Sequence, residues 1–209
     1  MKSNIRFLTA LALCCAIIIS VPVSVNAVSL TCWYSNDEDI GSWSYSPQIR
    51  YEKIDQNDLF PFLTGLRHGS SIWNSALGLS TSVSSSYTAA PIVMYGGTID
   101  QIRALNMFGV FSNDLLGRTI PTGYDYLGTL TYQGAVKYHY RLTSVIGCVI
   151  SRSDLTHNAY VKTASHELGH ALGWYGHPNT GSSSWVMAQG ISTNTTLYEA
   201  EKMHLAQVY

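Results

Sequence analysis

The stretch 163–180, "TASHELGHALGWYGHPNT", decides how this chain is read. His166 and His170 stand four residues apart, with Glu167 directly after the first. On an α-helix that spacing puts both imidazoles on one face, one turn apart, where a single ion can take a nitrogen from each. Glu167 then points to the side of that face, placed to hold a water beside the metal rather than to bind the metal. Zinc lowers the pKa of such a water toward neutrality, and an adjacent carboxylate takes its proton and delivers it to the leaving amine of a cleaved peptide bond. The third donor must come from outside the helix face. Gly173, three residues past His170, suits a left-handed turn at the helix end, and His177 follows within reach. Gly169 and Ala171 are small enough for tight packing of the same helix, and "SWVMAQG" (184–190) brings Met187.

These residues resemble the metzincin clan of zinc endopeptidases, whose extended motif H-E-x-x-H-x-x-G-x-x-H precedes a methionine-containing turn. The match covers His166, Glu167, His170, Gly173 and Met187. Within the clan the chain is most similar to the matrixin branch in its bacterial secreted form. "HELGHALG" carries that likeness, as does the closing "LYEAEKMHLAQVY" (197–209), which ends in an aliphatic residue and Tyr. "LGTLTYQGAVKYHY" (127–140) sits where matrixins place the edge strand that receives substrate. The resemblance implies an α+β catalytic domain: a mixed, mostly parallel twisted sheet with an antiparallel edge strand, an active-site helix, a Met-turn and a C-terminal helix. It further implies one catalytic Zn2+ on His166, His170 and His177, Glu167 as general base, and a protein or peptide substrate lying as an added strand along Tyr126–Tyr132. The expected activity is that of a secreted, monomeric zinc metalloendopeptidase using a zinc-activated water.

Three departures from the clan pattern stand out. The usual spacing puts the third histidine at position 176, which is Gly176; His177 requires a one-residue bulge that Gly176 accommodates. Gln189 stands two residues after Met187, where some branches carry a metal-binding Tyr, so no tyrosine switch is expected. The cysteine-switch propeptide of the matrixins has no counterpart ahead of residue 61. Two competing readings remain. A related zinc-peptidase layout takes its third ligand from a Glu on the last helix, here Glu199 or Glu201. A secreted zinc-stabilised binding module, or pseudoenzyme, would use the histidines without hydrolysis. Glu167 discriminates against the second, because a structural zinc closes with four protein ligands and has no use for a poised carboxylate.

Outward from this stretch, the 209 residues suffice for one domain with a real core. Lys2 and Arg6, the apolar "FLTALALCCAIII" and the small residues of "VNA" (25–27) read as a secretory signal over 1–27, with no stable membrane association once it is removed. Removal takes two cationic residues and leaves all thirteen acids, and no basic stripe offers a nucleic-acid surface. Of the four cysteines only Cys32 and Cys148 then remain, which points to one disulfide in an exported protein; the alternative is Cys32 capping the zinc as a latency switch. Residues 28–60 read as an irregular N-terminal segment around "NDEDI" (36–40), whose carboxylates offer calcium-type donors but read first as a solvated loop. The catalytic domain is placed at 61–209. Within it a helical pattern covers 61–79, "PIVMYGG" a buried strand, 106–112 a further strand, 124–132 and 135–151 two strands joined near Gly134, and two helices follow. His68, His139, His157 and His204 lack ligand spacing, Trp33 and Trp73 read as core, and Asn194-Thr195-Thr196 is a glycosylation sequon.

Overall fold

Two runs rich in Tyr, Thr and β-branched residues fold into a long antiparallel hairpin, β6 (Gly117–Tyr132) and β7 (Ala135–Ile150). Gln133 and Gly134 form its two-residue turn with φ of 48° and 81°, the left-handed pair that matches the twist of a tight hairpin. The structure is a computed structural model and describes residues 28–110, 112–180 and 183–209. The signal sequence expected over 1–27 lies outside the described residues. Ahead of the hairpin come β1 (Val28–Ser29), β2 (Asp39–Ser42), β3 (Ile49–Lys53), α1 (Phe62–Leu77), β4 (Val83–Ser84), β5 (Ile92–Gly97) and α2 (Ile99–Ala104). After it come α3 (His157–Ala171) and α4 (Glu199–Ala206).

The strands form one sheet in the order β1-β6-β7-β5-β3-β4, and β2 joins the free half of β7. Only the β6–β7 pair is antiparallel; the other pairings run parallel. Strand β7 is therefore shared. Residues 138–141 pair with β2, and residues 145–150 pair with β5. The fold is α+β with a mostly parallel mixed sheet, as the sequence predicts. No helix among the described residues is long and apolar enough to cross a membrane.

Helix α3 is held by α1 and by the sheet. Thr156 caps its start by accepting the Ala159 N–H. Gly65 and Gly69 of α1 lie so close to α3 that a Cβ on either would stand 2.8 Å from Ala164 or Ser165, so the two helices touch almost backbone to backbone. Trp73, fully buried, donates its indole N–H to the Ser165 carbonyl at 2.9 Å. Truncating so large a buried side chain costs about 3–5 kcal/mol.

Three expectations are corrected. The segment 28–60 is not irregular: β2 and β3 are sheet members, and Ile40 and Ile49 are fully buried. Its acidic look hid a four-residue strand buried at three consecutive positions. No strand forms over 106–110, where Asn106 and Gly109 take φ of 55° and 68°; Phe108 is buried there as a loop anchor, and position 111 lies outside the described residues. Cys32 and Cys148 are both free and buried. The Cys32 thiol donates to the Gln207 side chain beyond α4, whereas Cys148 packs with Tyr95, Ile102 and Phe108. They lie in different layers, so neither the disulfide nor a Cys32 metal cap is formed.

Two predictions follow from these buried groups. After unfolding, the chain freed of residues 1–27 should titrate two thiols, and the native protein should react only slowly, because burial raises the pKa of both. The second concerns His204, fully buried on α4, whose pKa is pushed down to about 3 by desolvation and then by Lys137. Its folded pKa lies below the unfolded value near 6.5. Stability from this group is complete above that value and is lost as pH falls toward 3, at up to about 1.4 kcal/mol per pH unit. Denaturant titrations of metal-free protein at pH 7 and pH 5 should show a loss about 2 kcal/mol smaller in His204→Gln than in the wild type.

Candidate metal centre

The first two imidazoles are set by the helix alone. His166 and His170 project from one face of α3, their Nε2 atoms 3.0 Å apart. The third comes from the loop after it. Gly173 takes φ of 114° and Gly176 takes 71°, both in the region that disfavours side chains, and the chain doubles back to bring His177 Nε2 to 3.3 Å from His166 Nε2. One ligand nitrogen from each ring lies within 4.8 Å of the others, and these three histidines are the single cluster of this kind among the described residues. Two nitrogens bound tetrahedrally at ~2.1 Å to one zinc stand ~3.4 Å apart, so the observed spacings fit the donor geometry. Gly176 supplies the extra residue that the shifted spacing demanded.

The far nitrogens of two rings are engaged. His166 Nδ1 donates to the Val186 carbonyl at 2.8 Å, and His170 Nδ1 donates to the Trp174 carbonyl at 2.6 Å. These bonds place the proton on Nδ1 and leave the Nε2 lone pair facing the shared point. Burial drives the pKa of His166 well down, that of His170 down to about 4, and that of His177 down as well. All three are neutral at pH 7, the form that binds a metal. Neutral nitrogens aimed at each other across about 3 Å without a proton between them repel; a cation at their centre turns that repulsion into coordination.

The N-terminal segment holds the third imidazole. His177 N–H donates to Asn36 Oδ1 at 2.8 Å, and Asn36 N–H donates to the His177 carbonyl at 2.9 Å. Gly41 N–H reaches the Gly173 carbonyl at 2.8 Å, Ile40 bridges Trp174, and Ser35 bridges Pro178. The Ser35 hydroxyl also bonds the Tyr175 carbonyl. A Cβ on Gly173 would overlap the Gly41 carbonyl, and one on Gly176 would meet Asn36. Asn36 and the Asp37 carboxylate, which accepts the Asp39 N–H, spend their oxygens on these turns. The structure does not gather the carboxylates of 36–40 into a calcium cage. Sequence reasoning missed this clamp; the Asn-Asp turn residues were its only visible trace.

Glu167 is nearly buried beside the cluster. Thr119 of β6 donates to its Oε2 at 2.7 Å, and Gly117 lies so close that a Cβ there would stand 2.6 Å from Oε1. Burial raises its pKa to about 7, against the pull of Thr119 and Lys162. A dication beside it shifts the balance back toward the carboxylate. The cluster and Glu167 open on a cleft of about 520 Å³ whose far wall is Leu115–Pro121 and whose end is Gln189 and Gly190. The segment Tyr126–Tyr132, expected to receive substrate, does not line this cleft. Leu130 and Thr131 already pair with β1, and the strand edge beside the cleft is Gly117–Pro121.

Met187 is fully buried, its sulfur against Gly169 of α3, one residue from His170. Its N–H donates to Glu201 Oε1 at 2.7 Å, while Glu201 Oε2 accepts the Tyr198 N–H at 2.9 Å. Glu201 thus ties the methionine turn to α4 and is not a third ligand; Glu199 faces solvent with Lys202. The other histidines have separate tasks. His68 bonds the Thr195 carbonyl, His139 bonds Ser42, and His204 accepts the Tyr34 N–H. No protein-family model matches the chain, and no curated protein matches it.

His177→Ala is expected to weaken zinc binding by orders of magnitude, and Asn36→Ala by about ten- to a hundredfold through the loosened loop. Glu199→Ala should bind as the wild type does. Competition against a chromophoric chelator separates the three; unchanged affinity in His177→Ala would remove that residue from the ligand set.

Proposed function

We propose that the protein is a secreted zinc endopeptidase of metzincin type, close to the matrixin branch, in which His166, His170 and His177 hold the metal and Glu167 moves the protons. One observation carries the reading: a buried carboxylate stands beside three converging neutral imidazoles, at the wall of an open cleft. A purely structural metal site is closed on all sides and leaves such a carboxylate without work. The methionine turn under α3, the left-handed turn at Gly173 and the mostly parallel sheet support the same assignment.

Zinc supplies Lewis acidity, polarising a peptide carbonyl and making water a nucleophile at neutral pH. The rest falls to side chains and backbone. The open edge of Gly117–Pro121 pairs with an extended peptide and lays its scissile bond across the cleft. Such pairing reads backbone rather than sequence. Thr119 fixes one oxygen of Glu167, so the other is held toward the reacting water. Glu167 accepts the proton as the water attacks and returns it to the amine nitrogen as the C–N bond breaks. The carbonyl bonds of His166 and His170 keep the rings from turning as charge develops. Export follows from the signal-like residues 1–27 and not from the folded domain.

Glu167→Gln keeps the shape and the Thr119 contact while losing the base. It should retain one zinc per chain and cleave unfolded casein about a hundred- to ten-thousandfold more slowly. Metal analysis alongside the rate decides the matter: undiminished cleavage, or loss of the zinc with the mutation, would remove Glu167 from the proposed role.

A further inference from the structure

The hydrolytic reading gives no task to Lys162. This residue lies one helical turn before His166 on the same face of α3, is only 3% exposed, and lines the same cleft. Its ammonium donates to the Ala188 carbonyl at 2.6 Å and to the Gly190 carbonyl at 3.1 Å, just past Met187. An ammonium carries three N–H donors. The third has no acceptor among the described residues, and no carboxylate there lies within ion-pair distance. Arg118, on the cleft's far wall, donates to the Val110 carbonyl and forms no ion pair among the described residues either. Glu167 and Glu201 act on the ammonium from a distance, but neither pairs with it directly. A buried cation without a direct partner is costly to keep, and a metal dication nearby raises that cost. Glu167 and Asp114 also line the cleft, yet neither meets the third ammonium N–H, which is left for a carboxylate arriving with the substrate.

We infer that Lys162 floors a side-chain subsite for an aspartate or glutamate of the substrate directly beside the scissile bond. The inference rests on the endopeptidase reading above and names the substrate that reading leaves open. One turn of helix separates Lys162 from the metal-facing His166, a rise of about 6 Å. That is the reach of a side chain whose own backbone sits at the reacting carbonyl. The carbonyls of Ala188 and Gly190 hold the ammonium in place before substrate arrives, so its free N–H is already ordered when a carboxylate enters. Leu115 and Leu116 offer apolar wall to the methylenes of that side chain. A neutral amide of the same shape fills the space without meeting the charge. Charge-assisted pairing in a desolvated pocket therefore discriminates Glu from Gln by about ten- to a hundredfold in kcat/KM.

The test uses the zinc-loaded protein freed of residues 1–27. Digestion of unfolded casein, followed by mass-spectrometric assignment of the cut sites, should show Asp and Glu enriched at one position flanking the bond. Peptide pairs differing only as Glu or Gln at that position then give the ratio, in the wild type and in Lys162→Met. The expected result is a ratio of ten or more in the wild type, collapsing toward one in Lys162→Met while the Gln peptide is still cut. Cleavage of casein with no acidic enrichment and a wild-type ratio near one would overturn the inference and leave the endopeptidase reading standing. Equal slowing of both peptides in Lys162→Met, with the ratio kept, would make Lys162 only a tie for the methionine turn. Should that variant fail to fold, the wild-type ratio alone decides. No cleavage of casein or of any peptide would remove both readings together.

Discussion

The bonds from His166 Nδ1 to the Val186 carbonyl and from His170 Nδ1 to the Trp174 carbonyl settle which nitrogen of each ring carries a proton. Once both protons are on the outer side, two bare nitrogens face each other at 3.0 Å and a third stands 3.3 Å from the first. Left alone, such lone pairs would turn away. They stay because the rings of His166 and His170 are gripped at their far ends, the backbone of His177 is held by Asn36, and burial disfavours protonation of all three. The acceptor carbonyls, Trp174 and Val186, belong to two stretches of the long connection after α3, so the cluster depends on the path of the chain from α3 to α4.

Much of the molecule is explained by that requirement. Glycines at 65 and 69 let α1 press against the back of α3, and the Trp73 indole fixes its register through the Ser165 carbonyl. Glu201 accepts the Met187 N–H and so holds the turn whose preceding residue, Val186, bonds His166. The hydroxyl of Tyr209, the last residue, bonds the Leu172 carbonyl at the end of α3. Each contact is modest, of order 1 kcal/mol. Together they leave α3 and the connection that follows it few ways to relax.

How much of this was legible beforehand depended on the range of the physics involved. His166, Glu167 and His170 could be read because one helix places them, and helical spacing is a local property. The hairpin was readable from its β-branched and aromatic runs and from Gly134, although β6 begins seven residues earlier than its tyrosines suggest. His177 was readable as the third imidazole of the cluster, and Gly176 as the hinge that brings it in. What escaped were interactions between segments far apart in the chain. The strand Asp39–Ser42 is four residues long and acquires meaning only from β7 and the Gly173 loop. The disulfide was inferred by counting, and the three-dimensional placement of Cys32 and Cys148 in separate layers removes it. Helix α2, six residues with a Thr98–Gln101 capping box, is too short to show a hydrophobic period. Nothing in the sequence singled out Lys162; its burial appears only in the fold.

The clamp of residues 35–41 on the loop 173–178 joins positions separated by about 140 residues of chain. Contacts of such long range form late, because the entropy of closing the intervening loop must be met before they stabilise anything. A chain made from its N-terminus displays Asn36 and Ile40 long before Gly173 and His177 exist. The first two imidazoles arrive together on one helix, and the third is positioned only when the two ends of the domain meet. The three-imidazole cluster is therefore a report on completed topology: a chain that has folded its helices but not joined its ends brings two of the nitrogens together, and the third belongs only to the closed domain.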